Sequence, residues 1–350
     1  MKRRYIISFV LVGFTGLMMV LFERFGSFFF PAYRNISKGF ISFLSYLTSF
    51  SKIAIWDYLA LLATIALVLT LLYTVIKRKN FFNYLSYVLI IFSILLVMAV
   101  DGWMLNHYAP PLSDDLGMTV AEYSKQQLYE ATKFYLEKAE EYAASIPRDD
   151  GHAIRQDFYE LARLAPNGYR KLEDRYPVFK GNDVPVKNVS LIGKEMLKND
   201  IVGIFMPLSA EAGISIEDAV VPMCFDMCHE LAHRLCIASE QEANFCAFLS
   251  CITNDDVRFI YSGYYKAYTY CFSALYKEDN ELALSFNQKD SLVYIDRVDT
   301  NEHYSQYDSP TKEYVNQMND DYLKLFSKES GVKSYGEVVD YLIAWYILQQ

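Results

Sequence analysis

The chain has 350 residues, 53% hydrophobic and 21% charged, with a formal net charge of -9 and a mean hydropathy of +0.07. That is too apolar for a disordered chain and too polar for a protein built mainly of membrane spans. The average hides two unlike parts: residues 1–100 hold ten basic and two acidic residues (+8), which leaves 23 basic and 40 acidic (-17) beyond them. The acidic part has no basic footprint for phosphates, which excludes nucleic acid as a partner.

Three runs without a charge come first, at about 5–22, 58–76 and 84–100. Each is close to the ~20 residues that cross a ~30 Å hydrocarbon core, so residues 1–100 read as a membrane anchor of three transmembrane helices in contact with lipid. Lys2-Arg3-Arg4 before the first run resembles the start of a signal peptide, but no small-x-small cleavage site follows and two more spans do. Lys2-Arg3-Arg4 and Lys77-Arg78-Lys79 fall on one side, which the positive-inside rule makes cytoplasmic. Residues 101–350 are then extracytoplasmic on a multi-pass protein of the cell membrane. The loop 23–52, with Arg24, Arg34, Lys38 and Lys52, runs against that rule. Its stretch Ile36–Phe50, rich in Phe, Leu and Ser, reads as an interfacial helix lying flat on the membrane.

Residues 101–118 contain Asn106-His107-Tyr108-Ala109-Pro110-Pro111 and read as a Pro-broken linker. From 119 to 350 a domain follows. Thr119-x-x-Glu122 is a capping box opening a helix to about Ala144. Helices are expected at 152–165 and 167–176, and short strands at Ile201–Pro207 and Ile214–Glu217. A helix from Pro222 at N1 runs to about Cys236, and one capped by Ser239-x-x-Glu242 runs to about Ile252. Others are expected at 255–277 and 310–328, with one at 334–348 after Ser334-x-x-Glu337. The fold class is therefore α+β, predominantly helical with a small sheet, behind three transmembrane helices.

Residues 229–233 read His229-Glu230-Leu231-Ala232-His233, the HExxH pattern. On a helix, positions i and i+4 put two imidazoles on one face, where both can reach one Zn²⁺ at about 2.0–2.1 Å. Glu230 can address a metal-bound water as general base. A catalytic zinc site needs a third protein ligand and an open position. The next helix, returning antiparallel after a short turn, begins with two carboxylates. Glu242 has another task available in the capping box with Ser239, so Glu240 is favoured as ligand, with Glu242 the alternative. Asn244, one turn beyond Glu240, is placed to hydrogen-bond the outer nitrogen of His229. Oxyanion donors are sought among Tyr261, Tyr264, Tyr265 and His303, whereas His107 and His152 show no ligand spacing. The segment Ile201–Glu217 is the candidate edge for binding a peptide backbone. The motif helix carries Asp226, Glu230 and Arg234 and lies far beyond the last span, which excludes a site inside the bilayer.

HELAH followed by Glu240-Gln241-Glu242-Ala243-Asn244-Phe245-Cys246-Ala247 resembles the gluzincin pattern, HExxH and then E-x-x-A-[D/N]-x-x-A. In membrane-bound zincins of the CAAX-protease and antibiotic-sensor types, the first Glu of that pattern is the ligand, which implies Glu240. The Asp one turn on, which supports a His, is Asn244 here. Over nearly all its length the chain resembles an uncharacterised bacterial family of three-span, membrane-anchored zinc metallopeptidases assigned by motif. The similar segments are 105–118, 203–217, 229–251, 261–267 and 334–342. The resemblance implies a zincin-like metallopeptidase domain that acts on a peptide or protein substrate. A non-catalytic receptor or scaffold, in which zinc only braces the helix pair, is the alternative.

All six cysteines, Cys224, Cys228, Cys236, Cys246, Cys251 and Cys271, fall in one stretch. Cys224 and Cys228 are one turn apart on one helix, which is poor disulfide geometry. Most of the others sit at apolar helical positions, so core packing is favoured over disulfides or a second metal site.

Overall fold

In the computed structural model, which describes residues 1–326 and 338–350, the apolar runs become three helices long and apolar enough to cross a membrane. They are α1 (Lys2–Thr48), α2 (Trp56–Ile76) and α3 (Phe81–Val100). Arg4 of α1 donates to Ser86 (3.0 Å) and Asn83, and the Tyr5 hydroxyl donates to the Phe82 carbonyl (2.7 Å). Further along, the Thr15 hydroxyl donates to Asp101 (2.7 Å). The helices α1 and α3 therefore run parallel, and both basic clusters lie at one end of the bundle. The first run does not stop near residue 22. It continues into a 47-residue helix whose direction breaks at Phe25 (φ -134°, ψ 26°). Pro31 follows a turn and a half later, and has no N–H to donate to the carbonyl four residues back.

Residues 101–118 are not a linker. They form a 3₁₀ turn at Met104–Tyr108 and the short helix α4 (Leu112–Leu116). Trp103, Leu105, Leu112 and Leu116 are buried, and these apolar side chains fold the segment despite its prolines. The next helix, α5 (Lys125–Ala143), also starts later than Thr119 suggests. Its capping box is Ser124/Gln127: the Gln127 backbone N–H donates to Ser124 Oγ (3.2 Å), and the Ser124 N–H to Gln127 Oε1 (2.8 Å).

A hairpin, β1 (Arg148–Asp149) and β2 (His152–Ala153), occupies the start of the helix expected from residue 152. Its turn, Asp150-Gly151, takes positive φ at both residues (46° and 86°), as a two-residue hairpin turn requires. The helix there, α6 (Phe158–Leu164), begins only at its Asp157 cap, and α7 (Pro166–Leu172) follows. A three-stranded sheet contains β3 (Lys187–Asn188), β4 (Gly203–Met206) and β5 (Glu211–Ile214) in the order β3-β5-β4, with β5 parallel to β3 and antiparallel to β4. The second strand thus precedes the expected 214–217. The short α8 (Gly193–Leu197) lies between β3 and β4.

The remaining helices are α9 (Met223–Arg234), α10 (Glu240–Thr253), α11 (Val257–Glu278), α12 (Asn280–Leu284), α13 (Leu292–Ser305), α14 (Lys312–Phe326) and α15 (Val338–Leu348). The expected cap Ser334-x-x-Glu337 lies outside the described residues. The core is held by Tyr135 of α5, Phe225 of α9, Phe245 and Phe248 of α10, and Phe259 and Tyr265 of α11. Ile41 of α1 belongs to the same core, so the anchor helix is also a domain helix. All six cysteines are free and buried there as small apolar side chains.

The sheet is fastened to the turn between α1 and α2. Ile53 bridges Asn188 in parallel, and the Ala54 N–H donates to the Asn188 carbonyl (2.9 Å). The Glu211 carboxylate accepts from the N–H groups of Ile55 (2.9 Å) and Trp56 (3.0 Å) at the start of α2, and from Lys187 Nζ (2.7 Å). Lys187 also donates to the Thr48 carbonyl that ends α1. The Lys187 and Glu211 side chains are 2% and 0% exposed, so neither charge is compensated by water. Glu211→Ala should destabilise the domain by roughly 3–5 kcal/mol, because it strands a buried ammonium. Thermal unfolding of the detergent-solubilised protein measures this, and a loss below about 1 kcal/mol would contradict it.

Candidate metal centre

The motif lies on α9, with His229 and His233 on one face, and the reversal after it completes the cluster. The Cys236 N–H donates to the His233 carbonyl (3.0 Å) and the Ile237 N–H to the Ala232 carbonyl (3.1 Å). This is a Schellman arrangement, with Cys236 in the left-handed position (φ 67°) that glycine usually takes. The chain turns back at once, and Glu240, the first residue of α10, meets the two imidazoles.

His229 Nε2 lies 3.1 Å from His233 Nε2 and 3.2 Å from Glu240 Oε2, while His233 Nε2 lies 3.6 Å from Glu240 Oε1. Three donors bound tetrahedrally to one ion at about 2.0–2.1 Å would lie about 3.3 Å apart; the two nitrogens stand near that spacing, and the contacts to Glu240 are shared between its two oxygens. Among the described residues these three form a possible metal-binding group. The same turn orients one member of the group: His233 Nδ1 is 2.8 Å from the Ile237 carbonyl, which assigns the ring proton to Nδ1 and leaves Nε2 turned to the cluster. Trp103 Nε1 donates to the His233 carbonyl (2.9 Å).

Glu242 is not drawn into the cluster, and Ser239 makes no side-chain cap. The Glu242 carboxylate instead accepts from the Leu112 N–H (2.7 Å) and the Tyr341 hydroxyl (3.0 Å), and burial raises its pKa. Asn244 does not support His229. Its Oδ1 accepts from the Tyr270 hydroxyl (3.0 Å), and among the described residues His229 Nδ1 has no hydrogen-bond partner.

Glu230 is buried against β4, and a Cβ on Gly203 would stand 2.5 Å from its Oε1, so only glycine allows the strand so close. Its other oxygen, Oε2, is buried without a hydrogen-bond partner among the described residues. Burial pushes Glu230 up to about 7, against the pull of His229 and His233. Strand β4 is the edge of its sheet, so a sheet edge runs directly beside this carboxylate.

The four candidate oxyanion donors are engaged elsewhere. The Tyr261 hydroxyl donates to Asp296, which Arg148 also holds (2.9 and 2.6 Å). Tyr265 donates to Thr300 (3.1 Å), Tyr264 stacks on Tyr142 (5.9 Å), and His303 Nε2 is 2.7 Å from the Glu217 carbonyl. Two residues near the cluster were not site candidates in the sequence. The Trp103 ring lies edge-on to both His233 (6.1 Å) and His107 (5.7 Å). For His107 the only signal was proximity to the end of a span. His152 instead pairs with Asp299 on the surface (2.7 Å).

The sequence model of a family described as "Protein of unknown function (DUF3810)" matches residues 33–343. No curated protein and no solved structure matches the chain.

Glu240→Gln should abolish stoichiometric metal binding, whereas Glu242→Gln should keep the metal and lose roughly 1–3 kcal/mol of stability. Elemental analysis beside thermal melts decides, and metal retained in Glu240→Gln would exclude it as a ligand. Without metal, burial would lower the His233 pKa, but the Glu240 carboxylate outweighs it and raises His233 to about 9. Burial likewise opposes ionised Glu240, yet the imidazoles hold it well below the usual carboxylate range. A raised imidazole stabilises the fold fully below its unfolded value of about 6.5, and that stability is lost as pH rises through about 9. Metal-stripped protein should therefore melt progressively lower from pH 6.5 to 9.5, and His233→Gln should flatten that slope.

Proposed function

The chain belongs to the DUF3810 family of proteins of unknown function, and from its site we propose a membrane-anchored zinc metallopeptidase with a zincin-like, gluzincin-type domain. One observation carries the reading: His229, His233 and Glu240 offer ligand atoms within 4.8 Å of one another, beside a buried carboxylate, Glu230, that packs on the edge strand β4. In this reading His229, His233 and Glu240 hold Zn²⁺. When bound, zinc supplies Lewis acidity that polarises a carbonyl and brings the pKa of water towards ~7.

The chain's own residues do the rest. Glu230, with its proton affinity raised close to neutral pH by burial, accepts the proton of the attacking water at Oε2 and passes it to the leaving amine. The edge of β4 lays out the substrate backbone by strand addition, with Gly203 keeping that edge within reach of Glu230. The Ile237 carbonyl keeps His233 in the tautomer that presents Nε2. The shared end of the two basic clusters supports a cytoplasmic location for that end and an extracytoplasmic one for the domain.

Glu230→Gln should retain zinc and lose about 10²–10⁴-fold in peptide hydrolysis, while His229→Ala should lose both. Assays on a peptide library beside metal analysis test this. Unchanged hydrolysis in Glu230→Gln would overturn the mechanism.

A further inference from the structure

Beyond Phe25, α1 turns one face to the domain and leaves the other uncovered. Tyr33, Ser37, Ile41 and Ser45 are buried. The opposite stripe holds Phe28 (78% exposed), Ile36 (69%), Phe43 (60%), Leu47 (53%) and Phe50 (83%). Spacings of eight and seven residues put Phe28, Ile36 and Phe43 on one helical face, Leu47 lies one turn beyond Phe43, and Phe50 follows in the turn after α1. The segment from Phe25 to Phe50 contains only two charges, Arg34 and Lys38, and both turn inward. Arg34 grips Asp115 with two bonds of 2.7 Å, and Lys38 donates to the carbonyls of Val178 and Lys180. The uncovered face is thus mainly apolar and free of charge, a liability if it stood in water.

Helix lengths say what covers it. Ahead of the break at Phe25, α1 is roughly 35 Å long, and the 21 residues of α2 extend roughly 32 Å. Each is just enough for a ~30 Å hydrocarbon core, so Phe25 and Trp56 both stand at the boundary on the domain's side. The helix between them is roughly 35 Å long and begins and ends at that boundary, so it runs along the surface instead of rising from it.

We propose that Gly26–Phe50 lies in the plane of the membrane with the Phe28–Ile36–Phe43–Phe50 stripe embedded in the leaflet on the domain's side. The cluster is thereby held at the bilayer surface. Ser37, on the opposite face of this helix, donates to the Gly102 carbonyl (2.7 Å) and touches Cys236 Sγ (3.4 Å) in the turn between His233 and Glu240. About one helix diameter, ~10 Å, separates Cys236, in the turn that carries the cluster, from the embedded face. On the metallopeptidase reading, the substrate class follows: a polypeptide anchored in the bilayer and cut close to its surface.

The experiment uses full-length protein in phosphatidylcholine vesicles with single nitroxide labels at Ile36→Cys, Phe43→Cys and, as a water-exposed control, Gln126→Cys. Labels at 36 and 43 should be relaxed by oxygen and shielded from a water-soluble nickel chelate, unlike the label at 126. Equal nickel access at all three positions would overturn the seating. So would dipolar broadening at 36 and 43 that vanishes on dilution with unlabelled protein, because a second copy would then cover the stripe. A peptide carrying a palmitoyl chain should be hydrolysed at least tenfold faster than the same peptide without it. Ile36→Asp combined with Phe43→Asp should lose that preference but keep the rate on the free peptide. Equal rates in the unmodified protein would overturn the substrate class. No hydrolysis of either peptide, with the labels still in lipid, would overturn the metallopeptidase reading and leave the seating supported.

Discussion

The cluster depends on the reversal of the chain after His233. Two imidazoles and a carboxylate share a volume shielded from water, and none of them would enter it unpaired. The reversal makes this possible in two residues. Cys236 adopts a left-handed backbone (φ 67°), which brings Glu240 onto the histidines, and the Ile237 carbonyl orients the His233 ring. The cost of a non-glycine residue in that conformation, roughly 1–2 kcal/mol, is smaller than the roughly 3–5 kcal/mol that an unpaired buried carboxylate would cost.

The second organising feature is continuity between anchor and domain. Trp103, just past the end of α3, bonds the backbone of His233, and Ile41 of α1 lies in the main core. Glu211 and Lys187, inside the sheet, close the end of α1 and the beginning of α2. The domain therefore cannot swing on a tether: its orientation relative to the three apolar helices is set by buried hydrogen bonds.

Sequence reading was sound where one short-range rule governs. Charge-free runs long enough for a bilayer became α1, α2 and α3, and HExxH became two imidazoles on one helical face. The choice between Glu240 and Glu242 rested on a capping box that does not form. Glu242 is occupied, but by the Leu112 N–H and the Tyr341 hydroxyl, which are distant in the chain. The cap read at Thr119 is not used: the helix opens five residues later, at Ser124 with Gln127. The prolines of 101–118 pointed to a linker, yet burial of Trp103, Leu105, Leu112 and Leu116 prevailed. Tyr261 and Tyr265 were drawn away by α13, where Asp296 and Thr300 take their hydroxyls.

What the sequence by itself determined is the membrane-length helices, the segregation of charge and the placement of His229, Glu230 and His233 on one helix. These follow from hydrophobic transfer and a 3.6-residue repeat, both readable within a few turns. Only the tertiary structure decided that Glu240 joins them, that β4 runs beside Glu230, that His107 and Trp103 stand nearby, and that half of α1 belongs to the domain. Those facts depend on which residues far apart in the chain exclude water from one another, and no local pattern encodes that choice.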